Sequence, residues 1–597
     1  MLLDTLSPEN VGPHNYVEKV NWRRFGDGEI VREGYVPFTP TGSVPHAVIP
    51  QPCRGIWEAT RPNGERCLVS ATPTALHKFD YSTGIWSQIG SGFTDSNKRW
   101  QGCSSDGWLF LNNTVDLPVA YRIENATVIP LYELREVGVS CVGTLCANNG
   151  FLLLGDITEI QAATLPTWMN GATPYGVVPG GSTNRIRYKI VCSDYLKPTN
   201  FSPVISGTIQ SASKTVVTLD YPSTAFVVGA KVAVVGAGIN GGTLGGTEGV
   251  EDGVPITAAS GKTITLSIPA DSALTYPLMV SVTRWADTST FSSGFSLQDD
   301  GSAILRIMSL KRQLLVFRET GVFSGRYTGN VETPFIFTPE FQGSDVPVYP
   351  DAAIEIAGEM IVYPTKSRFY YFDGSSAPQI FKSLDAARSN FFSSAQADPL
   401  NVFASHNEVT REVWFHTAAG VLAFDYFQKT AAWIDEPYSG GATIQIPSTG
   451  EHWYVLVRSD GVYRCAANES GVITRKRNGT SVVATLKSGM YSIGDESTQK
   501  TIRGYLPLLG VGCQDTRLEV TLYGSEAVSL SPRVLCSVQL PAPGESPLIS
   551  AFFRNTYLQD KISYIDPDDK PCFLSGRSLR MILSDTRGVT RHDNGNR

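Results

Sequence analysis

Charge is scarce in this chain. Only 18% of its 597 residues are Asp, Glu, Lys or Arg, against about 25% in ordinary soluble domains. The 49 basic and 56 acidic residues leave a formal net charge of -7. That balance is small for the length and has the wrong sign for a protein that wraps nucleic acid on a basic surface. It leaves room for a DNA-facing channel whose walls repel phosphate. Long apolar runs are missing as well. No stretch approaches the roughly 18 residues of a membrane span. The opening MLLDTLSPENVG has neither the basic n-region nor the apolar length of a signal peptide. A chain made in a cytoplasm, without stable membrane insertion, is expected.

The usual sequence signatures of chemistry are also missing. There is no CxxC among the ten cysteines, and the closest pair, Cys141 and Cys146, has no histidine nearby. Ten mostly reduced, buried thiols are expected rather than a zinc site. The seven histidines include no HExxH, and His406 and His416 flank a predicted hairpin, where a structural role is the default. No GxSxG and no GxxxxGK[ST] occur, so serine hydrolysis and nucleotide hydrolysis lack their usual support. Gly236, Gly238 and Gly241 in VAVVGAGING satisfy GxGxxG, but the glycine-rich GTLGGTEGVEDG that follows cannot start the helix a dinucleotide needs. This segment reads as a hairpin loop. Asp566, Asp568 and Asp569 in IDPDDK read as a solvated turn, because Lys570 and Pro571 break any EF-hand spacing. The sialidase Asp-box is absent: in FDYSTGIW, Gly84 stands four residues after Asp80, and Ser459-Asp460-Gly461 has no tryptophan downstream. No catalytic, cofactor-binding or metal-binding residue is nominated, and no cofactor is expected.

What the chain does have is turns and β-formers. Its 56 glycines and 36 prolines interrupt regular structure at about one position in six and a half, among 27 Phe, 24 Tyr and 10 Trp. The period of the apolar residues is two. Ile186, Tyr188, Ile190 and Cys192 share one face, as do Ile264, Leu266 and Ile268, and Leu518, Val520 and Leu522. Asp-Gly and Asn-Gly pairs recur at Asp27, Asp106, Asn149, Asp300, Asp373 and Asp460, the turn chemistry of tight hairpins. The best helix candidate is short, residues 383–392.

A weak repeat adds a longer period. Phe79-Asp80-Tyr81 leads to Trp86, Phe424-Asp425-Tyr426 leads to Trp433, and Phe372-Asp373 follows a strand. The spacing of the last two acids is near the blade period of propellers. In such hairpins the Asp binds its own turn, and the Trp packs between neighbouring blades. The predicted fold is therefore all-β: a β-propeller with an inserted small β-domain and a C-terminal β-sandwich. The expected divisions are an N-terminal arm with the first strands (1–50), the first part of the propeller (51–198), the Gly/Thr/Ser/Val-rich insert (199–284), the second part of the propeller (285–480) and the sandwich (481–597).

The order of motifs resembles the β-propeller tail proteins of short-tailed bacteriophages: the tail nozzle, or tail tubular protein B, and related hub or stabilisation proteins. The resemblance rests on NWRRFGDGEIVREGY near the start and on RWQGCSSDGWLFLNNTVDLPVAYRI with its Asn113, Asp116 and Pro118 turn. It continues through RWADTSTF at Trp285 and Asp287, LKRQLLVFRETGVFSGRYTGN, the run from FTPEFQ to FYYFDG, and FLSGRSLRMIL at Ser575-Gly576-Arg577. It covers roughly 1–195 and 285–597, and the insert carries no motif of that family. It implies a structural virion protein of the tail rather than an enzyme. Such a subunit would join copies of itself in a ring, commonly a hexamer, below portal and adaptor. Tail fibres or spikes would attach nearby, and DNA would pass without specific binding during genome ejection. The alternative is a receptor-binding or carbohydrate-active propeller tail protein, motivated by aromatics that stack on sugars. A Kelch-like scaffold predicts a uniform repeat that the insert interrupts.

Overall fold

Alternating apolar and polar residues, cut by frequent turns, favour short antiparallel strands over helices. The computed structural model describes residues 16–583, apart from 40–51, 161–182, 221–225, 237–242, 245–253, 285–293, 382–387, 493–499, 526–530, 541–548 and breaks of one to three residues elsewhere. Its regular structure is almost entirely β. In Leu518–Ser525, Leu518, Val520 and Leu522 are buried while the residues between them are half-buried, so period two puts one face on a core. Asp106-Gly107 and Asn149-Gly150 take positive φ at both positions (50° and 74°, 48° and 81°), the hairpin turn whose twist matches its strands. Of the expected helix at 383–392, residues 388–392 are helical within Arg388–Ala397, and 383–387 lie outside the described residues.

Among the described residues, six antiparallel four-stranded sheets and one antiparallel four-strand stretch of a ten-stranded sheet, counted below as sheet 6, follow one another along the chain. Sheets 1 and 2 span 55–91 and 101–130. Sheet 3 spans 139–192 and takes its fourth strand from Gly294–Ser296. Sheets 4, 5 and 6 span 304–342, 354–380 and 403–434. Sheet 7 spans 440–465. Its fourth strand is β4 (Tyr35–Pro37), paired as Cys465 with Tyr35 and Arg464 with Val36. The first strand of each sheet lies beside the first strand of the next, and that of sheet 7 returns to that of sheet 1. A separate hydrophobic cluster fills each gap between successive sheets. Phe38, Ile56, Phe79 and Val457 lie between sheets 7 and 1, for example, and Trp414, Leu456 and Tyr463 between 6 and 7.

The repeated acids occupy equivalent places. Asp80 and Asp425 end the third strands of sheets 1 and 6, and Asp373 directly follows that of sheet 5. Asp80 Oδ1 accepts from Ser82 N (2.8 Å), and Asp425 Oδ1 from Phe427 N (2.9 Å) and Gln428 N (2.7 Å). Trp86 and Trp433 pack into the gaps before sheets 1 and 6.

Two further bodies complete the chain. Within 204–284, six strands pair in a closed cycle, because Lys231–Val235 joins both Val254–Ser260 and Leu278–Arg284. Ile205, Ile209, Val217, Val234 and Val282 fill its core. The second body is built from both ends of the chain. The strand β1 (Tyr16–Val20) pairs with Ala484–Ser488, and β2 (Trp22–Phe25) and β3 (Gly28–Val31) enter the sheet of Lys500–Leu509 and Phe573–Leu583. These two sheets share a core of Trp22, Val31, Leu486, Val520, Ile562 and Leu574. Val20 also bridges to Trp433 of sheet 6. Among the described residues no helix is long and apolar enough to cross a membrane.

The strand before the closed cycle, Thr183–Cys192, pairs with the strand after it, Gly294–Ser296, so the chain leaves and re-enters one sheet around that cycle. Replacing 204–284 with a short Gly/Ser linker is therefore expected to preserve cooperative thermal unfolding of the remainder, read by circular dichroism. Loss of that transition would show that sheet 3 depends on the insertion, for which Tyr132, packed on its core, is the physical route.

Candidate functional site

Where first strands converge, side chains compete for space and glycine becomes necessary. A Cβ on Gly55 would lie 2.1 Å from the Trp57 ring, and one on Gly102 would lie 2.5 Å from its indole Nε1. One on Gly441 would lie 2.4 Å from the Tyr454 hydroxyl. Beside these glycines lies a half-open pocket of about 110 Å³. It is lined by the starts of sheets 1, 2, 4, 6 and 7 and by the turn Pro350–Ala352 that precedes sheet 5.

The pocket's polar wall has two guanidinium groups and one carboxylate. Asp351 Oδ1 accepts from Arg306 Nη1 (3.1 Å) and Gln101 Nε2 (3.2 Å). Arg99 is 95% buried, stands 3.5 Å from the centre of the Phe403 ring and donates Nη2 to Ser439 O (2.8 Å). Burial pushes its pKa down to about 10, with Cys53 and Asp351 pulling the other way. Arg54, just before the Gly55 strand, donates Nη1 to Asn401 Oδ1 (3.3 Å).

Next to the pocket, Ser405 Oγ lies 2.7 Å from His416 Nε2 and 2.5 Å from the Tyr454 hydroxyl. A hydrolase dyad needs an acceptor on the other imidazole nitrogen. His416 Nδ1 has no hydrogen-bond partner and is buried. The ring stacks on Phe403 at 4.2 Å, and burial, with Arg99 adding, holds its pKa well below the usual histidine range. This histidine is a neutral core group. His406 makes its contact with the Tyr426 hydroxyl at 3.2 Å. The two histidines stand on opposite strands of one hairpin but serve different packing roles.

The remaining motif residues hold the fold together. Asn113 donates Nδ2 to Asp116 Oδ2 (2.7 Å) and accepts at Oδ1 from the Asp116 amide (2.9 Å), while Asp116 also accepts from Thr94 N (2.7 Å). The glycine-rich segment turns after Lys231–Val235 at Gly236, φ 92°. Gly238 and Gly241 lie outside the described residues, as do Trp285 and Asp287. Of the expected solvated turn, Asp568 is exposed and Asp569 half-buried, but Asp566 is buried. Asp566 is 1% exposed and accepts from Arg517 N (2.9 Å) and Asp568 N (2.8 Å). Asp569 accepts from Thr474 Oγ1 (2.5 Å) and Arg475 N (2.6 Å). Backbone donors brought inside by the packing need acceptors, and these carboxylates supply them.

The N-terminal NWRRFGDGEIVREGY forms a buried ionic lattice. Arg32 pairs with both carboxylate oxygens of Glu412, at 2.8 Å for Nη1 to Oε2. Glu412 also accepts from Thr410 Oγ1 (2.9 Å) and Trp414 Nε1 (3.0 Å). Arg23 pairs with Glu33 (3.1 Å) and Lys19 with Glu29 (2.7 Å). Asn21, in a left-handed conformation, donates to Asp435 and Val483 O and accepts from Arg477.

The pocket itself was not foreseen. Arg99, Arg306 and Asp351 come from distant stretches and carry no local pattern, although glycines at the starts of successive strands were a usable sign of close convergence. No protein-family model and no curated protein matches the chain.

Proposed function

We propose that the seven sheets are the blades of a β-propeller and that the chain is a ring-forming structural subunit of a bacteriophage tail, a nozzle or hub below portal and adaptor. Blade identity is supported by the cyclic order of the first strands and by one core per gap. Sheet 7 is completed by β4, the kind of closure that ties the two ends of a propeller together. In the same reading 204–284 is an inserted β-domain, and the sheets built from both chain ends form a sandwich.

The observation that carries the functional reading is the ordered run of tail-protein-like motifs. Its residues sit at structural junctions: Asn21 and Arg32 in the ionic lattice, and Asn113 and Asp116 in the clasped turn. A ring requires a heterologous contact that closes on itself, and a mildly acidic subunit suits DNA that passes without being held. The role is architectural, located in the virion tail, and involves no catalytic step. Tail fibres or spikes and further copies of the chain are the other partners of this reading.

Purification alone and after co-expression with portal and adaptor, followed by electron microscopy, tests the proposal. A ring with a central channel, six-fold in the family pattern, is expected. A particle that stays monomeric beside both partners overturns it. The carbohydrate-active alternative needs exposed stacking platforms; the tryptophans among the described residues are all buried or half-buried, which leaves Phe427 and Tyr195 as exposed aromatic platforms. Release of oligosaccharide from host surface polysaccharide would reverse that ranking.

A further inference from the structure

We propose that the pocket at the convergence of the first strands binds hydrogen phosphate, free or as the head group of a phosphate monoester. Charge is the first argument. Arg99 and Arg306 line the pocket, against the single carboxylate of Asp351. The excess is positive, in a place where low dielectric strengthens attraction for an anion. An unused donor is the second. The Nε group of Arg306 is buried and finds no protein acceptor, a state whose desolvation an oxyanion relieves. Arg99 is fixed by the Phe403 ring and the Ser439 carbonyl, so little side-chain freedom remains to be lost on binding. Its pKa, pushed down by burial, is a further sign of a cation short of counter-charge.

Size and selectivity narrow the ligand. At about 110 Å³ the pocket has the volume of roughly three to four waters at about 30 Å³ each, which suits one tetrahedral oxyanion. Gln101 Oε1 is a buried acceptor without a partner. It would accept from the P–OH of hydrogen phosphate, a donor that sulfate lacks near neutral pH. A monoester keeps that P–OH only as its monoanion, below a second pKa of about 6, and the half-open pocket gives its ester oxygen an exit, so the monoester arm of the test is run near pH 6. The site does not depend on ring formation, and its failure would leave the tail-subunit reading standing.

The test is isothermal titration of the full chain with inorganic phosphate at constant ionic strength, with sulfate and glycerol phosphate as parallel arms. One saturable phosphate site is expected, with sulfate weaker. Glycerol phosphate binding as well as phosphate assigns a monoester head group, and its failure assigns the free ion. Arg306→Gln is expected to weaken phosphate binding by about tenfold or more, as loss of a close charge pair does. Asp351→Asn, which removes the competing carboxylate, is expected to tighten it. This opposite sign decides the matter even if Arg306→Gln folds poorly. Absence of saturable binding, or equal affinity in wild type and Asp351→Asn, overturns the proposal.

Discussion

Replacing Arg32 with alanine is expected to lower the stability of the folded chain by about 3–5 kcal/mol, the usual consequence of removing one partner from a buried ion pair. Arg32 is 3% exposed and Glu412 is 1% exposed, so water cannot replace the lost guanidinium. Their two-point contact joins the turn after β3 to the second strand of sheet 6. Loss of the pair therefore loosens the N-terminal segment from the sheets it braces. Urea unfolding monitored by tryptophan fluorescence measures the effect. The double variant Arg32→Met with Glu412→Leu should recover much of the loss, because a buried pair is often replaceable by apolar side chains of similar size. Recovery should be incomplete, since Thr410 Oγ1 and Trp414 Nε1 both donate to Glu412 and would be left without an acceptor. A loss below about 1 kcal/mol for Arg32→Ala is the behaviour of an exposed pair and would contradict the described burial.

The same pair sets a pH dependence with a defined sign. Burial alone would raise the Glu412 pKa, but Arg32 reverses this and holds it below the ordinary 4.5. A carboxylate with a lowered folded pKa contributes stability that is fully present above its unfolded value. That contribution is lost as pH falls through the folded value. In Arg32→Ala burial acts without its main counterweight, so Glu412 should titrate above its unfolded value. Acidification from neutral pH toward 4.5 then relieves a buried charge and stabilises the variant. The urea midpoints of wild type and variant should converge as pH falls from 7 to 5. Parallel curves would show that Glu412 is not the group left uncompensated.

Local chemistry was legible in the sequence wherever one residue type dictates one conformation. Alternation at Leu518, Val520 and Leu522 marked a half-buried strand, and Asp106-Gly107 and Asn149-Gly150 marked tight hairpins, because positive φ favours those residues. The same turn geometry at Lys311-Arg312, φ 50° and 77°, was invisible, since neither residue advertises it. Long-range pairing was equally hidden. Nothing local shows that Tyr35 pairs with Cys465, or that the fourth strand of sheet 3 waits beyond the closed cycle of 204–284, at Gly294–Ser296. Within IDPDDK, Asp568 is exposed as expected, but Asp566 is buried, because composition describes only a segment's own polarity. Whether Arg517 and Arg475 present backbone donors to it depends on packing from elsewhere. The pocket escaped for a related reason: Arg99 and Asp351 become neighbours only when the first strands meet.

Deletion of residues 1–38 is expected to abolish cooperative unfolding altogether. The segment buries Trp22, Val31, Tyr35 and Phe38, each stabilising by about 1.5–3 kcal/mol. Their sum is of the same order as the roughly 5–15 kcal/mol that holds a domain folded. The losses also fall in three places at once: the core shared by the two terminal sheets, the edge of sheet 7, and the gap between sheets 7 and 1. In that gap Phe38 meets Phe79 at 5.4 Å and Trp453 at 6.1 Å. A synthetic peptide of residues 16–39 added to the truncated chain should restore the transition, because the missing strands are paired by backbone bonds that a separate peptide can make. A point variant grades the effect. A Cβ on Gly34 would lie 2.0 Å from the Lys476 carbonyl oxygen, so Gly34→Ala must shift backbone at the start of β4, with an expected loss of about 1–3 kcal/mol. If the truncated chain melts as sharply and as high as the full one, β4 does not close the ring of sheets. If only the peptide fails, closure needs covalent attachment, and the strand's effective concentration rather than its contacts sets the stability.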